Sequence, residues 1–474
     1  MKMNKFKKFG IINSLIFLIF SLTLLLGASL ARGDELGRLI LTNCQIIDCS
    51  ERHQDPLRNM TIIIEGNRIV TIKKGKYDAN ASEEESRVID LKNAFVIPGL
   101  WNVHVHLSDI FPDPNHIQDG ELLASAVIRA GLNAMDGLQH GFTGIRVVGE
   151  KGYLDVAWRD AFEQGLFLGP RIFACGEVVS PTGGHRGDIA GGADGVAAIR
   201  RAVRAQIQRG VDWIKIMEVE MLDDEVQTAV EVAHHNGLRV AAHSREPTTY
   251  RSVKLGVDSI EHGYGLKDET IKLMAKKGTF YVPTIVCNLS DQYILEREKR
   301  LAQLGFANNP KIVRARTMIA YADERSAEHA LWQRLALQKA ARAGVKICVG
   351  SDSNPIGELG YLEIEQLVLS GLTPREALVA ATRNCAELCG VLDKLGTVEI
   401  GKLADLVVLS DNPIENISNI RKVQMVIKDG VIVKPEKFLG ASRLWDFYNI
   451  SKLKSGFLAE AEKAAGFSRG KIKQ

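Results

Sequence analysis

From Arg38 to Ala94 apolar and polar positions alternate in short runs, "LILTNCQIID", "MTIIIEGNRIVTI" and "RVIDLKNAFVIPG". A period of two sends one face of a pleated strand to a core and the other to water, so these runs predict short antiparallel strands. Gly66 and Asn67 supply a tight turn inside the second run. The same style returns in "ADLVVLS" and "VQMVIKDGVIVK", with Asp429 and Gly430 as the turn. Two β segments that flank a long middle region predict one composite β-sandwich domain, built from residues 32–97 and 395–437.

The middle region, residues 98–394, changes pattern. Eight apolar strand candidates follow in order: "LWNVHVHL", "FTGIRVVG", "RIFACGEVV", "DWIKIM", "LRVAAHS", "DSIEHG", "TFYVPTIV" and "VKICVGSD". Between them run stretches such as "ELLASAVIRAGLNAMDGLQH" and "GVAAIRRAVRAQIQRG", whose apolar residues recur at helical spacing. Eight strand and helix units predict an α/β fold of the (β/α)8 TIM barrel type. A doubly wound open sheet is the alternative, but no glycine-rich phosphate loop follows a strand. A long polar helical stretch follows the seventh strand, and residues 438–474 read as a helical tail without assignable chemistry.

At 474 residues the chain has ample material for one large domain and a smaller one. Residues 1–31 combine Lys2, Lys5, Lys7 and Lys8 with an apolar run from Ile11 and small residues up to Ala31. That is the form of a secretory signal cleaved near Ala31, with an uncleaved anchor as the alternative, and it implies a periplasmic or secreted protein. Without those lysines the formal charge moves from +3 to −1, which argues against nucleic acid as a partner. The only membrane contact expected is through this segment. Seven scattered cysteines form no disulfide framework. Cys44 and Cys49 are placed to pair, and Cys175, Cys287 and Cys348 read as buried packing residues.

One lysine disturbs the apolar pattern. Lys215 lies inside "DWIKIM", where an ammonium group would be costly to bury. In a barrel of this kind the functional residues sit at the C-terminal strand ends. Those ends carry His104 and His106 on strand one, Lys215 on strand four, His243 on strand five, His262 on strand six and Asp352 on strand eight. His104 and His106 are two apart and share one face. A single buried histidine is commonly a hydrogen-bonded core residue. Four of them converging with a carboxylate predict a metal site, because unpaired imidazoles in a barrel mouth are costly without a cation. Imidazole and carboxylate donors suit Zn²⁺, and also Mn²⁺ or Co²⁺. Burial lowers the pKa of a lysine, and its neutral amine can add CO₂ to become an anionic carbamate able to bridge two cations. The alternative is a lysine that snorkels to the rim.

The set "VIPGLWNVHVHL", "DWIKIM", "VAAHS", "SIEHG", "VGSDS" and "LGTVEIGKLADLVVLSDNPIENI" resembles the amidohydrolase superfamily, in its Xaa-Pro dipeptidase and imidazolonepropionase-like branch, from Leu39 to Val433. The resemblance implies one metal at His104, His106 and Asp352, a second at His243 and His262, and carboxylated Lys215 between them. Imidazolonepropionase-type relatives use one metal and lack the bridging lysine, so Lys215 argues for the two-metal form.

Such a site implies hydroxide attack on a polarised carbonyl, with Asp352 as general base and then general acid. His185, in "SPTGGHRGD", resembles a family element with Arg186 as an extra residue, and is a candidate for substrate or oxyanion contact. Tyr264 is a candidate for a substrate carboxylate. Loop packing is the alternative for both. Relatives often carry aspartate at the position of Val147, which leaves the polar partner of Arg146 in doubt. His140, His234 and His235 read as structural or exposed. The expected substrate is a dipeptide or N-acyl amino acid. A lactonase or organophosphate hydrolase on the same site, and a metal-free binding scaffold, are the competing readings. A homo-oligomer stays open.

Overall fold

The structure, a computed structural model, describes residues 37–77, 86–109, 122–185, 192–288, 327–352 and 354–433. The expected signal at 1–31, Arg186 and the tail at 438–474 lie outside these residues.

The alternating N-terminal runs form β1 (Arg38–Ile46), β2 (Leu57–Glu65), β3 (Arg68–Lys74), β4 (Ser86–Asp90) and β5 (Phe95–Pro98). Seven parallel-paired strands follow, β6 (Leu100–Val105), β7 (Phe142–Val147), β8 (Arg171–Ala174), β9 (Trp213–Met217), β10 (Arg239–Arg245), β11 (Ser259–Tyr264) and β12 (Phe280–Val282). The chain ends its described part with β13 (Leu406–Leu409), β14 (Val423–Lys428) and β15 (Val431–Val433). These last three join the first five in one eight-stranded sheet of order β15-β14-β13-β5-β1-β2-β3, with β4 beside β1. The seam is antiparallel, Val408 opposite Val96 and Leu406 opposite Pro98, and Leu39, Leu41, Ile62, Ile64, Val96, Leu406 and Val408 share its core. Both ends of the chain therefore close one sheet. Asp429 and Gly430 both have positive φ, 50° and 76°, the backbone that a two-residue hairpin turn requires.

Helices α1 (Leu123–Gln139), α2 (Leu154–Glu163), α3 (Gly195–Gln208), α4 (Asp223–His235), α5 (Thr248–Leu255) and α6 (Asp268–Lys277) separate successive parallel strands, and α7 (Ala327–Arg342) and α8 (Ile356–Leu369) follow β12. The local reasons are legible in α6. Asp268 and Glu269 open it and Lys276 and Lys277 close it, which complements the helix dipole. Gly278 at φ 73° ends it. Thr270, Ile271 and Met274 are its buried stripe, at three- and four-residue spacing.

The parallel strands occur as two sheets, β6-β7-β8 and β9-β10-β11-β12. Backbone hydrogen bonds join them on both sides. Val179 N–H donates to Lys215 O at 2.9 Å, and Met217 N–H to Val179 O at 3.0 Å. On the other side Cys348 N–H donates to Tyr281 O at 2.9 Å, and Val103 N–H to Val349 O at 2.8 Å. The expected eighth strand, "VKICVGSD", is thus present only as a bridge at Ile347, because its neighbours on each side each take few of its backbone groups.

Strand alternation places the chemistry. Ile214, Ile216, Val240, Ala242 and Ile260 pack with Ile199, Val203, Val226, Ile271 and Met274 of the helices. Lys215 pairs in register with Ala241, and His243 with Glu261, so all four face away from the helices. The Cys44–Cys49 pairing does not occur. All seven cysteines are free and buried. Cys44 lies in the core of the mixed-end sheet and Cys49 in the larger core behind the parallel strands, so their side chains belong to different layers.

Candidate metal centre

His104 near the end of β6 and His106 just past it are both buried. Their Nε2 atoms lie 3.2 and 3.1 Å from one atom, Asp352 Oδ1. The three residues bring ligand atoms within 4.8 Å of one another. Asp352 sits in the left-handed region at φ 51°, and its N–H donates to His104 O at 2.8 Å, which ties the eighth segment to the first strand at the site. Burial alone would raise the Asp352 carboxyl, and only a protonated Nε2, on His104 first and then on His106, holds it well below the usual carboxylate range.

The opposite nitrogens decide what this cluster suits. His106 Nδ1 lies 2.8 Å from the Gly149 carbonyl. A carbonyl only accepts, so Nδ1 carries the proton and Nε2 presents a lone pair. His104 Nδ1 meets Glu261 Oε2 at 2.7 Å, with the same consequence. Two lone pairs aimed at one carboxylate oxygen repel each other, and a cation between them removes the conflict. The donor set therefore fits a divalent metal.

His262 and His243 lie beside this cluster, and Lys215 is buried near them. His262 packs against His104 with ring centroids 4.8 Å apart and against His243 at 4.5 Å. His262 and Gly263 both have positive φ, 64° and 61°. This break in the strand turns His262 to the same face as its neighbour Glu261, where regular alternation would oppose them. Burial first, then Lys215 for His243 and His243 for His262, push both imidazoles well below their ordinary pKa, which leaves them neutral and able to ligate. His262 Nδ1 is 2.6 Å from Thr284 Oγ1. Lys215 is 1% exposed. Burial pushes its ammonium down to about 8, against the opposing pull of Glu261 and Asp352.

Tyr264 stacks on His262 at 5.3 Å with a 3° interplanar angle. His185 is exposed, its ring 5.3 Å from that of His243. Both flank the histidines. His234 is exposed and pairs with Asp258 at 2.8 Å, and buried His140 bonds the Asp136 carbonyl at 2.7 Å.

Sequence reasoning missed Glu261. It is wholly buried and accepts from Arg146 Nη2 at 2.7 Å and Ser259 Oγ at 2.5 Å, besides meeting His104. Arg146 also donates to Val103 O at 2.7 Å and Ser259 Oγ at 3.0 Å, and lies 4.6 Å from the Trp213 ring centroid. The doubt over its partner is thereby resolved: Arg146 pairs with a carboxylate four strands further along the chain, Glu261 on β11. Burial alone would raise Glu261, but Arg146 and His104 hold it well below the carboxylate range. The available signal was a glutamate inside the apolar strand "SIEHG", the same kind of signal as Lys215.

Residues 95–433 match the amidohydrolase family model. The chain belongs to the amidohydrolase family. This amidohydrolase is similar to the ochratoxinase of Aspergillus niger, with 28% identity over 415 residues, covering 78% of this chain and 82% of the relative. A crystal structure of a Xaa-Pro dipeptidase with bound methionine superposes with a TM-score of 0.72 at 31% identity, covering 84% of this chain and 100% of the other. A prolidase solved with N-methylphosphonate-L-proline gives 0.69 at 30% identity, over 84% and 99%. The amidohydrolase is thus a hydrolase acting on carbon–nitrogen bonds, with a His–His–Asp cluster that can hold a metal.

Proposed function

We propose that this amidohydrolase is an exported two-metal enzyme that cleaves the amide bond of a dipeptide of the Xaa-Pro kind or an N-acyl amino acid. The parallel strands and the bridge at Ile347 are read as one (β/α)8 barrel over 98–394, with the mixed-end sheet as its composite sandwich partner. One observation carries the two-metal reading. Lys215 is buried among His243, His262 and Asp352 with a lowered pKa, and among the described residues no hydrogen bond or ion pair holds its Nζ. An amine in that setting is neutral enough to attack CO₂, forming an N–C bond and losing a proton.

His104, His106 and Asp352 would hold one ion, and His243 and His262 the other, with the Lys215 carbamate between them. Zn²⁺ suits the donors best, and Mn²⁺ and Co²⁺ are the other candidates. Bound there, the ions supply an acidified water and a polarised substrate carbonyl. Asp352 would accept a proton from the attacking water and return it to the leaving nitrogen. His185 and Tyr264 meet the substrate beside the reacting bond. The Xaa-Pro dipeptidase and the prolidase solved with N-methylphosphonate-L-proline support an amide bond of the Xaa-Pro kind.

The test joins metal analysis to a substrate screen. About two equivalents of metal, with Xaa-Pro, Xaa-Arg or N-acyl amino acid turnover lost on chelation and restored by Zn²⁺, is the expected result. Turnover of lactones or phosphotriesters alone would overturn the amide reading, and folded protein that takes up no metal would overturn the enzyme. Sequencing the N-terminus of the mature protein checks cleavage after Ala31.

A further inference from the structure

The short helical turn after β12, Ile285–Asn288, touches both halves of the centre. Thr284, at its start, faces His262 Nδ1 at 2.6 Å. One turn later Cys287 Sγ lies 3.2 Å from Asp352 Oδ2. The histidines occupy the other oxygen, Oδ1. An ionised carboxylate accepts only, so the thiol donates. Two anchors fix the turn from behind. Buried Glu363 of α8 accepts from Ile285 N–H at 3.0 Å and Val286 N–H at 2.8 Å, and Gln333 of α7 donates to Pro283 O at 2.9 Å.

We propose that this turn is a positioning element for the metal centre, in which Cys287 sets the rotation of the Asp352 carboxylate and Thr284 sets the ring of His262. The terminal torsion of aspartate is broad and roughly two-fold, so a donor on Oδ2 is what keeps Oδ1 aimed at the two imidazoles. Because the turn is braced by α7 and α8, the carboxylate and the ring are held in one fixed relation. Cys287 is a positioning residue and touches no substrate. The inference rests on the two-metal reading.

The experiment compares zinc-loaded wild-type enzyme with Cys287→Ala and Cys287→Ser. Alanine and serine are similar in size, so a packing role for the sulfur moves both alike, whereas only serine keeps a donor. Zinc release to a colorimetric chelator is expected to be about tenfold faster in Cys287→Ala, the scale of losing a partner behind a ligand, and within about twofold of wild type in Cys287→Ser. The visible spectrum of cobalt-loaded protein should shift in the alanine variant and be recovered in the serine variant. Thr284→Val, nearly isosteric, gives an independent arm with about tenfold faster release, and it decides the matter should Cys287→Ala fail to fold. Uptake of zinc with equal release by all variants overturns this inference alone. A wild-type enzyme that takes up no zinc overturns the two-metal reading beneath it.

Discussion

The two halves of the centre are built differently. His104, His106 and Asp352 form a set in which each imidazole has its Nδ1 fixed from behind, by Glu261 or by the Gly149 carbonyl, and its Nε2 against one shared oxygen. His243, His262 and Lys215 have much less. His262 has Thr284, while among the described residues no side-chain hydrogen bond reaches His243 or Lys215. Hydrogen-bonded ligands keep their aim without an ion, since partners behind a ligand orient it. The other half is held by packing and burial, and under the proposed two-metal reading its anionic member would be a modified Lys215. On that reading one half of the site is preorganised and the other is completed by chemistry.

The comparison breaks most sharply at Lys215. Lys215→Ala should lower turnover on the order of 10³-fold, the scale of losing a charge-stabilising group at a reacting centre. Short carboxylic acids should restore part of it by filling the bridge. Metal analysis should still find an ion, held by the preorganised half. Wild-type turnover in this variant would end the two-metal reading.

Glu261→Gln probes the preorganised half. It leaves the buried Arg146 guanidinium without its carboxylate, which should cost about 3–5 kcal/mol in urea unfolding. Unchanged stability would show that Arg146 is satisfied by Ser259 and the Val103 carbonyl alone.

The smallest effect concerns the brace between the halves. Burial pushes the Glu363 carboxyl from 4.5 up to about 8, so the folded protein holds a proton that the unfolded chain has released. Stability from this group is complete below pH 4.5 and is lost as pH rises through about 8. Glu363→Gln should flatten that decline by a fraction, because Glu150, also pushed up to about 8 by burial and by Asp109, titrates over the same window. Denaturation midpoints at pH 5 and pH 8 measure it, and equal slopes in both proteins would exclude Glu363.

Much of this is legible in the sequence alone. The switch from period two to alternating strand and helix patterns marked the mixed-end sheet and the parallel strands, because local periodicity reports which face is buried. His104, His106, Lys215 and His243 stood out as polar groups at strand ends. The eighth apolar run predicts a strand that the structure holds only as a bridge at Ile347, since such a run looks the same whether or not both neighbours bond to it. The role of Glu261 is not legible locally because its partners, Arg146 and His104, are far away in the chain.

The sequence by itself determined the order of elements, the residues able to ligate and the oddity of a lysine in an apolar strand. All of these follow from side-chain chemistry and short-range spacing. Only the tertiary structure decided that Arg146 and His104 share Glu261, that Cys287 faces Asp352, and that a left-handed turn at His262 brings adjacent residues to one face. Those contacts depend on how distant segments meet in three dimensions, and on backbone angles that no local pattern encodes.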